Sequence, residues 1–184
     1  MPVAVGVDEA ARLKIIDNCG MTCTFCHNEG TPVAAAYNQG NILLPNPTYR
    51  GRVSVFEQCN GVDFIPGSMQ PNDNFDKTLS VLAETLGTKE VHLTGGEPTL
   101  HPNLSEIIRR AASQGFSVKL TSNGENSRVF RECAEAGLEK VNFSIFGTTP
   151  SELAEVQHEK YRNIKRAEKK IDSLKKSIDE ALRY

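Results

Sequence analysis

From position 90 onward, apolar and polar residues alternate in short runs separated by longer helical stretches. Val91 and Leu93, Val118 and Leu120, and Val141, Phe143 and Ile145 recur at every second position, which predicts strands over 90–94, 117–122 and 140–146. The segments between them, 103–113 and 126–136, read as helices, with Gly115 and Gly137 placed where a left-handed C-terminal cap favours glycine. Strand starts recur roughly every 25 residues, the rhythm of consecutive βαβ units. Thr149-Pro150-Ser151-Glu152 supplies a hydroxyl cap, a first-turn proline and a glutamate three residues on, so a helix should start there. Beyond it, Ile164, Ala167, Ile171, Leu174, Ile178 and Leu182 form one apolar stripe on a charged helix, expected to pack outside a sheet, with a short coiled-coil seam as the alternative. Nearer the N-terminus, 12–17 reads as a strand and 74–86 as a helix, and 28–73 reads as a loop-rich insertion.

The positions opposite the apolar set are polar: His92 and Thr94, Lys119 and Thr121, Asn142 and Ser144. A parallel sheet buried on both faces would instead read as continuous hydrophobics. One face is therefore expected to meet helices and the other to line a polar cavity. That pattern suits an α/β fold of the partial (β/α) barrel kind, with a ligand in its mouth.

Composition fits this picture. The chain has 184 residues, 39% of them hydrophobic, and a formal charge of −2, which suits a soluble domain with one core. With no long apolar run and no leader-like N-terminus, a cytoplasmic protein is expected, without a membrane partner. Positions 158–184 hold nine Lys/Arg against five Asp/Glu, read as a solvated helix face, and no nucleic-acid partner is expected.

The chemistry begins at the cysteines. There are five, an odd number, and three of them crowd into Cys19, Cys23 and Cys26, which speaks for metal rather than a disulfide framework. Three thiolates on a short loop can hold three irons of a cubane and leave the fourth open to a small molecule. His27 beside Cys26 keeps a Cys3His zinc site open on spacing alone, although adjacent residues rarely reach one tetrahedral ion together.

Cys19-x-x-x-Cys23-x-Phe25-Cys26, following a strand, resembles the signature of the radical SAM enzymes, and Thr94-Gly95-Gly96-Glu97-Pro98 at the end of the next strand resembles that family's Gly-Gly-Glu-Pro segment. The resemblance implies that Cys19, Cys23 and Cys26 carry a 4Fe-4S cluster whose open iron is chelated by the amino and carboxylate groups of S-adenosylmethionine. It implies further that Gly95, Gly96 and Glu97 accept hydrogen bonds from the ammonium, the glycines allowing close backbone approach. Thr121-Ser122-Asn123-Gly124 resembles the polar segment near the methionyl carboxylate and ribose, Ser144 occupies the position of a ribose contact, and Phe25 is placed near the adenine. The Gly-Gly-Glu-Pro-Thr-Leu-His-Pro run and the later Ser-Asn-Gly look most like the branch containing the molybdenum-cofactor cyclase and peptide-modifying enzymes.

The implied activity is reductive cleavage of S-adenosylmethionine to a 5′-deoxyadenosyl radical that abstracts hydrogen from a small-molecule or peptide substrate, with an electron donor such as flavodoxin or ferredoxin. No residue is assigned a catalytic role, and His92, Lys119, Thr121 and Asn142 mark the expected substrate side. Cys133 is expected in the core, and Cys59 is expected to be a thiol in the insertion rather than an auxiliary-cluster ligand. Family cores have six βα units and four are countable here, so positions 1–184 read as the first part of a longer radical SAM core. Its open edge could support self-association. The competing reading is a non-catalytic iron–sulfur or zinc-binding module, or an inactive enzyme fragment.

Overall fold

The computed structural model describes residues 10–16, 19, 21, 23, 36–38, 42–44 and 68–184. Four parallel strands form one sheet in the order β1 (Ala11–Lys14), β4 (Glu90–Thr94), β5 (Ser117–Ser122) and β6 (Leu138–Phe143). β2 (Ala36–Asn38) and β3 (Ile42–Leu44) pair separately as an antiparallel ladder. The helices are α1 (Asp73–Leu86), α2 (Leu104–Ser113), α3 (Phe130–Glu135), α4 (Pro150–Val156) and α5 (Ile164–Ala181). A parallel sheet with helical crossovers is the partial barrel expected from the alternating pattern.

The apolar alternation forms the core. Val91, Leu93, Val118 and Leu120 are fully buried and pack with Phe75 and Leu79 of α1, Ile107, Ile108 and Ala111 of α2, and Phe130 and Cys133 of α3. Each such aliphatic side chain removed from water contributes about 1.5–3 kcal/mol, which is what holds the helices to this face. Local chemistry sets the boundaries. Asn72 caps α1 through its side-chain oxygen, which accepts from Asn74 N at 3.0 Å and Phe75 N at 3.2 Å. Gly115 and Gly137 take the left-handed conformation after α2 and α3 at φ of +80° and +106°. Thr149 and Glu152 form the reciprocal capping box at the start of α4.

Several expectations shift. The first strand closes at Lys14 rather than continuing to 17: Ile15 N still donates to Thr94 O of β4 at 2.9 Å, but Ile15 O accepts from Met69 N at 2.8 Å and Ile16 bridges Ser68. The last strand runs from Leu138 to Phe143 instead of over 140–146. Its register slips opposite Val118/Lys119, Phe143 at its end packs edge-to-face on Phe130 at 5.3 Å, and Ile145 is exposed beyond the strand. The stripe on α5 also rotates. Ala167, Lys170, Leu174 and Ser177 are its buried positions, while Ile164 and Leu182 are exposed. Apart from β2, β3 and positions 68–73, the expected insertion lies outside the described residues.

Among the described residues, no helix is long and apolar enough to cross a membrane.

Candidate functional site

The ends of β1, β4 and β5 are laced together. Gly96 N donates to Ile16 O at 2.7 Å, and a Cβ on Gly95 would lie 2.4 Å from that same oxygen. Glycine is therefore required at 95 by backbone against backbone, and the contact falls three residues before Cys19. Gly95→Ala should force the exits of β1 and β4 apart, costing about 1–3 kcal/mol; urea unfolding of the metal-free protein reads this, and an unchanged midpoint would refute the close approach.

The Glu97 carboxylate organises the next layer and is only 3% exposed. Its Oε1 accepts from Thr99 N at 3.1 Å, Thr99 Oγ1 at 2.6 Å and Ser122 Oγ at 2.8 Å, and its Oε2 accepts from Asn123 N at 2.8 Å. Oε1 is saturated by three donors, whereas Oε2 keeps capacity for one more. Gly95, Gly96, Glu97, Ser122 and Asn123 thus converge in one hydrogen-bonded cluster. Ser144 joins it through the backbone, donating its N–H to Ser122 O at 2.9 Å, with a half-buried side chain.

Helix α5 grips the same loop from behind. Lys170 Nζ donates to Asn123 O, and Ser177 Oγ donates to Gly124 O at 2.9 Å, both side chains being buried. Burial lowers the Lys170 pKa, while the nearby carboxylates of Glu125 and Glu97 act in the opposite direction. The cation in turn sits where two carboxylates need a counter-charge. Gly124 has φ of +72° and its absent Cβ leaves room for Leu174 Cδ1, 2.5 Å from where one would be.

Cys19 and Cys23 are half-buried thiols packed against a small cluster of Met21, Leu153, Tyr161 and Ala167. The Tyr161 hydroxyl donates to Glu125 Oε1 at 2.5 Å and contacts Met21 Sδ at 3.5 Å. Burial first, and then the Glu125 bond and the charges of Glu125, Cys23 and Cys19, push the phenol well above its ordinary pKa, so it remains a proton donor. Tyr161 therefore links the cysteine loop to the loop that holds Glu97. Phe25, Cys26 and His27 lie outside the described residues, as does Cys59.

Cys133 is 1% exposed on α3, its thiol pushed up to about 12 by burial and then by Glu132, a core residue as expected. The residues marked as the substrate side are partly engaged with one another: His92 Nε2 lies 2.7 Å from Thr121 Oγ1, and Lys119 pairs with Glu90. His101, in the same turn as Glu97, is buried. Its Nδ1 accepts from Asn103 N at 3.0 Å, which leaves its Nε2 proton for Met69 O at 2.8 Å, and burial lowers its pKa. Lys170, Thr99, Tyr161 and Glu125 were not anticipated from the sequence. A lysine and a serine inside an apolar stripe were the available signal for α5; Tyr161 had none.

A parallel α/β sheet with two half-buried thiols beyond its first strand and a buried glutamate turn at the end of the next strand is a partial barrel. Residues 13–184 match the Radical SAM superfamily, and the chain belongs to that superfamily, enzymes that use a 4Fe-4S cluster and S-adenosylmethionine. It is similar to a protein of Thermococcus kodakarensis named Probable GTP 3′,8-cyclase, 26% identical over 174 residues that cover 94% of this chain and 43% of the relative. A Pyrococcus horikoshii protein of the same name is 32% identical over 135 residues, covering 73% of this chain and 33% of the relative. The GTP 3′,8-cyclase of Chlorobaculum tepidum is 27% identical over 174 residues, covering 93% and 40% respectively. The chain spans between a third and just over two-fifths of the length of these curated relatives.

Proposed function

We propose that these residues form the cofactor end of a radical SAM active site. Cys19, Cys23 and Cys26 would hold the cluster, and Glu97 and its turn would hold the amino group of S-adenosylmethionine. The reduced cluster would supply one electron for cleavage of a carbon–sulfur bond of the sulfonium, giving methionine and a 5′-deoxyadenosyl radical for hydrogen abstraction. The observation that carries the reading is the Glu97 clamp: a buried carboxylate with one unfilled acceptor site on Oε2, laced to the root of the cysteine loop through Gly95, Gly96 and Ile16.

Each part has a task under this reading. Glu97 Oε2 accepts from the ligand ammonium, and the charge-assisted bond orients it. Ser122 and Asn123 hold that carboxylate in place and, with Gly95, Gly96 and Ser144, present polar backbone and hydroxyl groups to the rest of the ligand. Phe25 is assigned to the adenine. Tyr161 and Leu153 pack behind Cys19 and Cys23 and exclude water from the loop.

For the substrate, the names of the relatives suggest a purine nucleoside triphosphate. Support within this chain comes from one row across the sheet, in which Arg12, His92, Lys119 and Lys140 are register partners on the face opposite the Val91 and Leu93 core. Such a row favours an anion, with the charge of Lys119 offset by its ion pair with Glu90 and the contribution left to its neighbours. A peptide substrate is the less supported alternative. An oxygen-sensitive cluster also calls for a reducing compartment such as the cytoplasm and a donor of the flavodoxin or ferredoxin type. Self-association would use the β6 edge, near which Leu182 and Tyr184 are exposed.

Anaerobic reconstitution of the full-length protein tests the reading. The expected result is a brown 4Fe-4S chromophore whose reduced electron paramagnetic resonance spectrum changes with S-adenosylmethionine, and 5′-deoxyadenosine after chemical reduction, more of it with GTP than with ATP. Colourless protein carrying stoichiometric zinc would falsify the proposal and favour a metal-binding module instead.

A further inference from the structure

Two polar side chains of the charged helix α5 turn inward to consecutive carbonyls of one loop. Lys170 is 4% exposed and donates to Asn123 O, and the fully buried Ser177 donates to Gly124 O at 2.9 Å. Taking an ammonium out of water costs more than one bond to a neutral carbonyl returns, so a lysine here calls for a reason beyond tying down a helix. Asn123 supplies one. Its carbonyl meets Lys170 while its N–H donates to Glu97 Oε2 at 2.8 Å, so a single residue joins the cation to the oxygen that keeps an acceptor site unfilled. Ser122 Oγ donates to Glu97 Oε1 at 2.8 Å and accepts from Gly124 N at 3.0 Å. Residues 122–124 are thus suspended between Glu97 on one side and α5 on the other. One turn before Lys170, Ala167 belongs to the cluster against which Cys19 and Cys23 pack, so the same helix backs both loops.

We infer that Lys170, helped by Ser177, is a positioning residue for S-adenosylmethionine: it fixes Asn123, whose N–H holds the Glu97 carboxylate at the angle at which Oε2 receives the ligand ammonium. The inference rests on the function proposed above and adds to it two residues of a helix outside the cysteine, Gly-Gly-Glu and Ser-Asn-Gly motifs. Lys170 acts through Asn123 rather than by contact with the ligand. The sign of its effect separates this role from a purely electrostatic one. A buried cation near Glu97 and Glu125 disfavours, by its charge alone, a second cation at Glu97, so removing it would tighten binding of the ammonium. Positioning requires the reverse, a weaker complex once the loop is released.

The test uses Lys170→Met, close in length and without donor or charge, and Ser177→Ala, which releases the second carbonyl and leaves the charge in place, each alone and combined with Glu97→Gln. At parental iron content, titration of the reduced cluster with S-adenosylmethionine is expected to show binding weakened about 3- to 30-fold in Lys170→Met and less in Ser177→Ala. In the Glu97→Gln background, where the Asn123 N–H has already lost its acceptor, neither change should weaken binding further. In the metal-free protein, the Asn123 amide should exchange its hydrogen faster in Lys170→Met than in the parent. Unchanged or tighter binding overturns the inference. So do losses that simply add to that of Glu97→Gln, or an Asn123 amide that exchanges at the parental rate, since Lys170 would then tie α5 to the loop without reaching Glu97. Should Lys170→Met not fold, Ser177→Ala decides by the same criteria of weakened binding and its disappearance beside Glu97→Gln. A parent that binds no S-adenosylmethionine overturns the inference together with the proposed function, and is told apart because it appears without any substitution.

Discussion

Alanine at Cys19 or at Cys23 is expected to abolish the 4Fe-4S chromophore and all formation of 5′-deoxyadenosine, while leaving the circular dichroism of the metal-free protein unchanged. A cubane held by three thiolates has no spare protein ligand, so removing one leaves a second iron without a protein anchor besides the one meant for the ligand. The fold does not depend on either thiol to the same degree. Both are only half-buried, at the margin of the Met21, Leu153 and Tyr161 cluster, and neither belongs to the main core beneath the sheet. Cys133 provides the opposite case. It is 1% exposed within that core, so Cys133→Ala should cost about 1 kcal/mol in urea unfolding and leave iron content at the parental level. Iron and sulfide analysis of the three variants, with unfolding curves beside them, separates ligand from filler. Parental iron content in Cys19→Ala or Cys23→Ala would remove these residues from the cluster.

Much of the scaffold was legible because it rests on periodic or local signals. Alternation at Val91, Leu93, Val118 and Leu120 located two strands to the residue, and the Thr149–Glu152 cap and the glycines at 115 and 137 marked helix ends, because each depends on neighbours within one turn. Tertiary pairing was not legible. The slip opposite Val118/Lys119 depends on which β6 residue meets β5, and the packing of Phe143 depends on its meeting Phe130; neither partner is close in sequence. The β2–β3 ladder was missed although the Asn38-Gln39-Gly40-Asn41 stretch between two short runs is a turn composition, because the surrounding Asn, Pro and Gly masked the alternation.

At the site the same division holds. The motifs pointed to the residues that converge, but not to how they hold one another. A Gly-Gly-Glu turn and a Ser-Asn-Gly loop 25 residues apart carry no pairwise signal, yet Glu97 Oε1 and Ser122 Oγ meet at 2.8 Å. The grip of Lys170 and Ser177 was hidden for a related reason: hydrophobic periodicity assigns polar residues to solvent, whereas here two of them turn inward to satisfy the carbonyls of Asn123 and Gly124. The polar strand face was read as an open lining, and part of it is spent internally by the His92 and Thr121 contact.

Glu97 should respond to substitution in two separable ways. Glu97→Ala removes the acceptor for Thr99 N, Thr99 Oγ1, Ser122 Oγ and Asn123 N in a site only 3% exposed, and at about 1–3 kcal/mol for each buried donor left unpaired, partly relieved by entering water, a net loss of about 3 kcal/mol is expected. Glu97→Gln is the sharper probe. Its amide oxygen can keep the three bonds made by Oε1, but its amino group then faces the Asn123 N–H, donor against donor, so about 1–2 kcal/mol should go. If Oε2 is the acceptor for the ligand ammonium, the same change also removes a charge-assisted hydrogen bond, and S-adenosylmethionine binding to the reconstituted protein should weaken by about 10- to 100-fold. The two effects part on measurement: unfolding of the metal-free protein reads the clamp, and titration of the reduced cluster with S-adenosylmethionine reads the ligand. Normal affinity in Glu97→Gln with reduced stability would mean that Glu97 ties two loops together and does nothing for the ligand. A matched loss in both is what a carboxylate serving as turn clamp and ammonium acceptor at once requires.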